Sequence, residues 1–557
     1  MAAPLRAIGA GAGGWGARRW AAVLLAALVA LPAAWSAIDA VRAGLEAQAW
    51  SQLWREPQLP RAWALTLATG VAATVLSVLL TMRILAMGFP GPAWLRLVRL
   101  LPPMLATPHA AFAIGFSFLV APSGWLLRAL SPWATGFDAP PGWPTTQDPW
   151  GLGLVAVLVA KEVPFLLWTA AGHLQKEDTR VRLARELAVA HSLGYARAQA
   201  WRRVAWPQLR PRLAGPLLAV LAYSLTTVDM ALVIGPTSPP TLAVLAWQWL
   251  QDGDAAANAV GAAAAWLLAF TVAGVAAGGG LWLRFAPAMR LWADGHRGRA
   301  ARRIPLPRAG STWLAALYVA VLAALAAGSV AGVWPFPALW PQTFTLGAWA
   351  AVADSASTVG ATLLLGVLAA AVALAWAVAW LELAPPQWDA QLRWLVYLPL
   401  MLPSVLWIIG VHRMALAWQW DASGRGVWLA HTLAALPYVL MALSPAYLGF
   451  DARYAQTAAS LRASRLRFLL RVKWPLLKAA LGGAFAVGFA VSVAQYVPTL
   501  FLGAGRFATV TTEAVTMAAG AQRSLSAAYA WLQWLLPAGC FALAAWLGRP
   551  RFRGATR

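Results

Sequence analysis

Glu186–Gln208 reads ELAVAHSLGYARAQAWRRVAWPQ, a polar and basic stretch between long apolar runs. A second copy, Gln456–Leu477, reads QTAASLRASRLRFLLRVKWPLL. Superposing Pro207 on Pro475 gives an offset of 475 − 207 = 268. The same offset pairs Ser192 with Ser460, Leu193 with Leu461, Arg203 with Arg471, Val204 with Val472 and Trp206 with Trp474. Carried on without a gap, it pairs Ser224 with Ser492 and Gly235 with Gly503. The chain reads as a duplication, and its best-preserved piece is a short amphipathic segment between membrane spans.

The 557 residues are 61% hydrophobic and 11% charged, with a mean hydropathy of +0.63. A soluble domain cannot carry that apolar load, so the composition predicts a polytopic membrane protein. The net charge of +24 is scattered between apolar runs and forms no single basic face, which argues against nucleic-acid binding. It fits instead the basic inner loops of a membrane protein. The single cysteine, Cys540, excludes a disulfide framework and reads as a small apolar residue against lipid or a neighbouring helix.

A span needs roughly 20 apolar residues. On that rule the first half has helices near 19–38, 63–84, 98–121, 150–172, 213–235 and 258–284. The second half has them near 312–334, 356–381, 394–417, 427–449, 478–502 and 527–547. The first run, behind Arg6, Arg18 and Arg19, also suits a signal peptide. An uncleaved span is preferred because the first half needs it to reach six. Loop charge sets the orientation. Lys176–Arg212, Arg284–Arg308, Arg453–Lys478 and the tail Arg549–Arg557 are basic and placed inside, whereas Gly235–Ala257 and Gly332–Trp349 carry no Lys or Arg and are placed outside. Asp39–Arg61 is mixed. Both termini are expected in the cytoplasm. The third span of each half carries Pro-x6-Gly, Pro108 to Gly115 and Pro403 to Gly410, with an offset of 403 − 108 = 295. Since 295 exceeds 268 by 27, the second half is shorter between these spans and the repeated segment, mostly within the Pro- and Gly-rich outer stretch Ser123–Pro149.

The repeated segment resembles the EAA loop of permease subunits in binding-protein-dependent ABC importers. That pattern is Glu-Ala-Ala, a Gly six residues after the Glu, then a hydrophobic residue, any residue, a hydrophobic residue and Pro. It falls on Ala188, Val189, Ala190, Gly194, Val204, Trp206 and Pro207, just after Glu186, and again on Gln456, Thr457, Ala458, Arg462, Val472, Trp474 and Pro475. The Glu position is Ala188 in one copy and Gln456 in the other, Arg462 stands in place of the Gly, and Trp replaces the usual Leu before Pro. The fused two-half layout looks most like the permeases of ferric-iron and thiamine importers. The resemblance implies a type I importer transmembrane fold and two ABC ATPase subunits, one under each segment. It also implies a periplasmic solute-binding protein and a place in the bacterial inner membrane. An amphipathic helix across the inner face can dock into a groove on such a partner. The plainer alternative is a basic loop held to anionic lipid.

No G-x-x-x-x-G-K-[ST] occurs, so no phosphate cradle is encoded. The expectation is a transport subunit that is not itself an enzyme, binds no cofactor and leaves ATP hydrolysis to a partner. Lys161 and Glu162, before Pro164, and Asp229 lie inside predicted spans. Ionisable residues there are costly and usually face a cavity or a partner, so all three are candidates for the translocation path. A packing pair such as Lys161 with Asp229 explains them equally well. His109 and His431 read as hydrogen-bonded packing residues, and no His, Asp or Glu set has metal-site spacing.

The expected architecture is an all-α membrane protein of about 12 transmembrane helices in two homologous six-helix halves. The expected divisions are 1–62 (tail, first span and outer loop), 63–284 (first permease domain), 285–355 (basic linker and seventh span), 356–547 (second permease domain) and 548–557 (basic tail). A 12-span secondary transporter is the rival function, since two fused halves suit that class too. It has no reason to keep an inner loop as its best-preserved feature. A membrane-embedded enzyme is third, and lacks the clustered carboxylates or His expected at a membrane face.

Overall fold

A computed structural model describes residues 12–285, 312–421, 423–520 and 522–549. All but the first two residues of the basic linker expected at Arg284–Arg308, and most of the two terminal tails, lie outside the described residues. All regular structure among the described residues is helical, apart from two isolated bridges, Thr237 with Pro240 and Ala331 with Phe344. Helices satisfy every backbone group inside the segment, which lipid requires.

In chain order the first-half helices are α1 (Ala12–Gly44), α2 (Leu59–Gly88), α3 (Pro92–Ala106), α4 (His109–Val120), α5 (Trp125–Leu130), α6 (Leu152–Leu174), α7 (Glu177–Ser192), α8 (Ala214–Thr226), α9 (Asp229–Ile234), α10 (Leu242–Leu250) and α11 (Ala255–Phe285). Then follow α12 (Thr312–Ser329), α13 (Ala356–Leu383), α14 (Pro386–Met401), α15 (Ser404–Ala417), α16 (Gly424–Leu448), α17 (Ala452–Ser460), α18 (Lys478–Val493), α19 (Val497–Gly503), α20 (Val510–Ala519) and α21 (Arg523–Gly548). Among the described residues, nine helices are long and apolar enough to cross a membrane, and a tenth results if the bent pair ending in α18 is one span.

Four of the twelve expected spans are broken: 213–235, 394–417 and 478–502 thereby fall outside the nine, whereas 98–121 is still counted through His109–Leu130. Two breaks are made by proline. Pro108 has no N–H for the Met104 carbonyl, and Thr107 before it turns extended, with ψ 118°. Pro403 separates α14 from α15 and is itself extended, with ψ 131°, as Pro108 is with ψ 152°. The third break, Thr226 to Asp229, puts Thr227 in an extended conformation. Its counterpart lies 268 residues on, since 229 + 268 = 497, where α19 begins at Val497 with Pro498 in its first turn.

The chain folds as two compact units. One gathers Gly44–Ala350 with Val515–Trp531, and the other gathers Met1–Ala43, Ala351–Ala514 and Leu532–Arg557. The leading helix of each half is therefore packed among helices of the opposite half. In the second unit, Ala22 and Val29 of α1 are buried with Ala373, Trp376 and Val439, and Trp376 Nε1 donates to the Leu25 carbonyl at 2.9 Å. In the first unit, α12 lies on α4, where the Tyr318 and Phe112 rings meet at a tilt of 43° with centroids 4.7 Å apart. Tyr318 Oη also donates to the Ala160 carbonyl of α6 at 3.2 Å. The two Pro-x6-Gly motifs explain these crossings. Pro breaks the helix and Gly removes the side chain where the leading helix passes: Gly115 meets Val321 and Gly410 meets Ser36. Inside each unit the same buried bond recurs. Thr66 Oγ1 accepts the Leu242 N–H at 2.8 Å, and Thr362 Oγ1 accepts the Val510 N–H at 2.9 Å. Cys540 packs beside the buried cluster of Ala370, Phe489 and Val493.

Candidate functional site

The first repeated segment begins inside α7. Glu177 and Asp178 occupy its first turn, where the helix dipole favours acids. Its inner stripe is Leu183, Leu187 and Ala190, buried at helical spacing, while Ala188 and Val189 are exposed. Gly194 ends the helix with φ +88°. After a single turn, Arg197–Ala200, the backbone widens into a π-turn, Trp201–Ala205, in which the Trp206 N–H bonds the Trp201 carbonyl. Pro207 follows at the start of the next short helix, Trp206–Leu209. Pro207 lacks the N–H that the Arg203 carbonyl would need, so the wider ring before it has a local cause.

The second segment repeats this course residue for residue. Arg462 takes Gly194's place with φ +52°, since 194 + 268 = 462. The π-turn is Leu469–Lys473, with the Trp474 N–H on the Leu469 carbonyl, and Pro475 opens Trp474–Leu476. The left-handed turn of Gly194 is thus kept, and Arg462 bears a conformation that Gly adopts freely. Asp451 caps α17 through the Arg453 N–H at 2.9 Å, a signal the sequence reading passed over.

The copies differ in how they close. In the first, Gln208 Nε2 donates to Glu186 at 2.6 Å and to the Val204 carbonyl at 3.0 Å. That bond folds the segment around an open groove of about 500 Å³, lined by Val189, Leu193, Tyr195 and Val204 with Arg185 and Arg203 at its rim. Arg203 lies 5.3 Å from the Tyr195 ring centre. Val189 and Leu193 are exposed there, as are Leu461, Leu466 and Leu470 on the second segment. Val204, Trp206, Ala458, Val472 and Trp474 are half-buried, and Pro207, Gln456 and Pro475 are exposed.

Lys161, Glu162 and Asp229 are not brought together as an ion pair. Lys161, 3% exposed, donates to the carbonyls of Met104 at 3.2 Å and Thr107 at 2.6 Å. Those carbonyls lie at the C-terminal end of α3, where Pro108 interrupts the backbone bonding, so a cation there also suits the helix dipole. Asp229 accepts from Thr227 at 3.0 Å and Tyr223 at 3.4 Å across the break before α9. The His109 ring meets that of Tyr223 at a tilt of 47°, with centroids 4.6 Å apart. Glu162, next to Lys161 on α6, is 4% exposed. A pairing of Lys161 with Asp229 was one sequence expectation, and backbone carbonyls take its place. In the second half, His431 bridges Ser492 at 2.8 Å and Thr499 at 2.9 Å, a buried packing network.

The chain is 35% identical over 548 residues to the inner membrane ABC transporter permease protein YnjC of Escherichia coli (strain K12), covering 96% of this chain and 97% of that one. The chain belongs to the ABC transporter permeases. No family model matches it. The permease assignment agrees with a helical architecture in which the two repeated segments share one turn, one π-turn and one Trp-Pro step. Sequence patterning found those segments because their backbone is set locally by Gly and Pro. It missed Trp201, which is buried against Phe89 with ring centroids 5.8 Å apart, and Glu382, a lone acid in an apolar run.

Proposed function

We propose that this permease forms the translocation pathway of an ATP-driven importer in a bacterial inner membrane, with both termini cytoplasmic. Residues 63–284 and 356–547 are its two permease domains. A separate ABC ATPase, in two copies, docks one subunit on each repeated segment and hydrolyses the ATP, and this chain binds no cofactor of its own. A periplasmic solute-binding protein delivers the cargo, for which thiamine-like molecules and ferric iron are favoured by the resemblance of the fused layout. Lys161, Glu162 and Asp229 are assigned to the path.

The observation that carries this reading is the exposed apolar side chains of both segments, Val189 and Leu193 on one and Leu461 and Leu466 on the other, with Leu193 and Leu461 at corresponding positions. They sit on matching backbones beside basic residues, and a solvated loop has no reason to present them. Nucleotide-driven movement of the partner would reach the helices as a rigid-body shift. The test is co-purification. Replacing Val189, Leu193, Leu461 and Leu466 by Asp is expected to release the ATPase while the chain stays folded and in the membrane. An ATPase that stays bound to the quadruple variant overturns the docking surface.

A further inference from the structure

Glu382 ends α13 in the motif WLELAPP, with its side chain 12% exposed. Its Oε2 accepts Arg465 Nη2 at 2.7 Å, and the same nitrogen donates to the Glu382 carbonyl at 2.6 Å. Its Oε1 accepts Lys473 Nζ and, at 2.8 Å, Tyr447 Oη from α16. Tyr447 Oη in turn accepts Trp474 Nε1 at 3.1 Å, and Lys473 Nζ stands 3.9 Å from the centre of the Tyr447 ring. One carboxylate therefore holds both sides of the second repeated segment, Arg465 before the π-turn and Lys473 within it, against two membrane helices. Charge-assisted bonds at a mostly buried site fix direction as well as distance.

The positions of the first half that correspond to Glu382 and Lys473 carry no charge. The Thr66–Thr362 pairing gives this helix an offset of 362 − 66 = 296, and 382 − 296 = 86 falls on Ala86. Lys473 corresponds to Ala205, since 473 − 268 = 205. There the segment is seated by Trp201 against Phe89, the residue that caps the end of α2. An apolar seat is non-directional and tolerates sliding. Leu469 occupies the corresponding place in the second half, half-buried where Trp201 is fully buried.

We propose that Glu382 is a positioning residue for energy coupling. It locks the second segment to α13 and α16, so that movement imposed on that segment is passed to those helices as by a lever. The first segment transmits through its apolar Trp201 seat, and the two halves of the transporter are therefore coupled by different chemistry. This inference rests on the reading that an ATPase docks on both segments.

The test uses the full chain in lipid nanodiscs with its co-purified ATPase, and follows amide exchange with and without ATP and vanadate. Glu382→Gln is expected to retain the ATPase and its ATP turnover. Exchange across 465–477 should rise by about tenfold or more, with 197–209 unchanged. Vanadate trapping is expected to alter exchange in both α2 and α13 of the unmodified chain, and in α2 only of the Gln variant. Glu382→Asp should restore part of the α13 response. Should the Gln variant fail to fold, Lys473→Met serves, because Arg465 still neutralises the buried acid. An α13 response that survives in these variants, or unchanged exchange at 465–477, overturns the inference. If the unmodified chain retains no ATPase, the docking reading fails first and the coupling role falls with it. The exchange at 465–477 in the chain alone still reports whether Glu382 is a clamp.

Discussion

Gly410 lies so close to Ser36 that a Cβ added to it would stand 2.1 Å from the Ser36 carbonyl oxygen and 2.4 Å from its Cα. The obstacle is backbone, which cannot rotate away. At Gly115, 295 residues earlier, the nearest atom to an added Cβ is Val321 Cγ1 at 2.7 Å, followed by Leu325 Cγ at 2.8 Å and the Val321 carbonyl oxygen at 2.9 Å. Gly410→Ala must push α1 off α15, at about 1–3 kcal/mol or more, the range for overpacking. Gly115→Ala should cost less, because the nearest atoms it meets belong to side chains that can shift. Thermal midpoints of the two variants in detergent check the order, with Gly410→Ala the lower.

The left-handed turn at 194 and 462 makes a second comparison. No atom stands within 4 Å of a Cβ added to Gly194, so Gly194→Ala tests backbone conformation alone. It should cost about 1 kcal/mol, the penalty of an L-residue at positive φ. Arg462→Ala should be neutral within about 0.5 kcal/mol, because the strain is already present and the side chain is exposed. Arg462→Gly relieves the strain but frees the unfolded chain, so its gain should stay below about 1 kcal/mol. Equal losses for Gly194→Ala and Arg462→Ala would contradict this account. Chemical denaturation followed by tryptophan fluorescence measures all three.

The paired segments were legible because Gly, Trp and Pro act on the backbone within a few residues, and the offset of 268 carried their geometry from one copy to the other. The broken spans were not, although Pro108 and Pro403 were in view, since a run of apolar residues has the same composition whether or not one carbonyl loses its donor. The exchange of α1 and α12 was also hidden. An apolar helix with a weak polar face does not name its neighbour, and only Gly115 and Gly410 marked where a helix would cross. Lys161 was found as a buried charge, but its partners are backbone carbonyls, which no side-chain pattern announces.

Acid should loosen the second segment before the first. At the start of α17, the Arg453 guanidinium and then its N–H hold the Asp451 carboxyl below the usual carboxylate range. Because the folded value is depressed, the cap's contribution is present above the unfolded value of about 3.9 and is lost as pH falls through the lower, folded one. Exchange of the first-turn amides of α17, corrected for intrinsic rates, should therefore rise below about pH 4. Asp451→Asn caps without titrating and should give a flat profile. The start of α7, at Lys176, makes no side-chain cap bond, so the step from loss of a cap is expected at α17 and not there.

Lys161 and Asp229 offer a test of what buried charges do at broken helices. Lys161→Met keeps the length of the side chain and removes the donor to the Met104 and Thr107 carbonyls. The loss of a charged hydrogen bond at a buried site predicts about 1–3 kcal/mol. Asp229→Asn leaves an oxygen that still accepts from Thr227 and Tyr223, and should cost below about 1 kcal/mol. An ion pair between the two would behave otherwise, since each single change would strand its partner's charge and the double change would restore part of the stability. With separate partners, the double variant should equal the sum of the singles within about 0.5 kcal/mol. A coupling energy above that bound, measured by the four-member cycle in one detergent, would put the two residues in contact and return Lys161 to an interhelical pair.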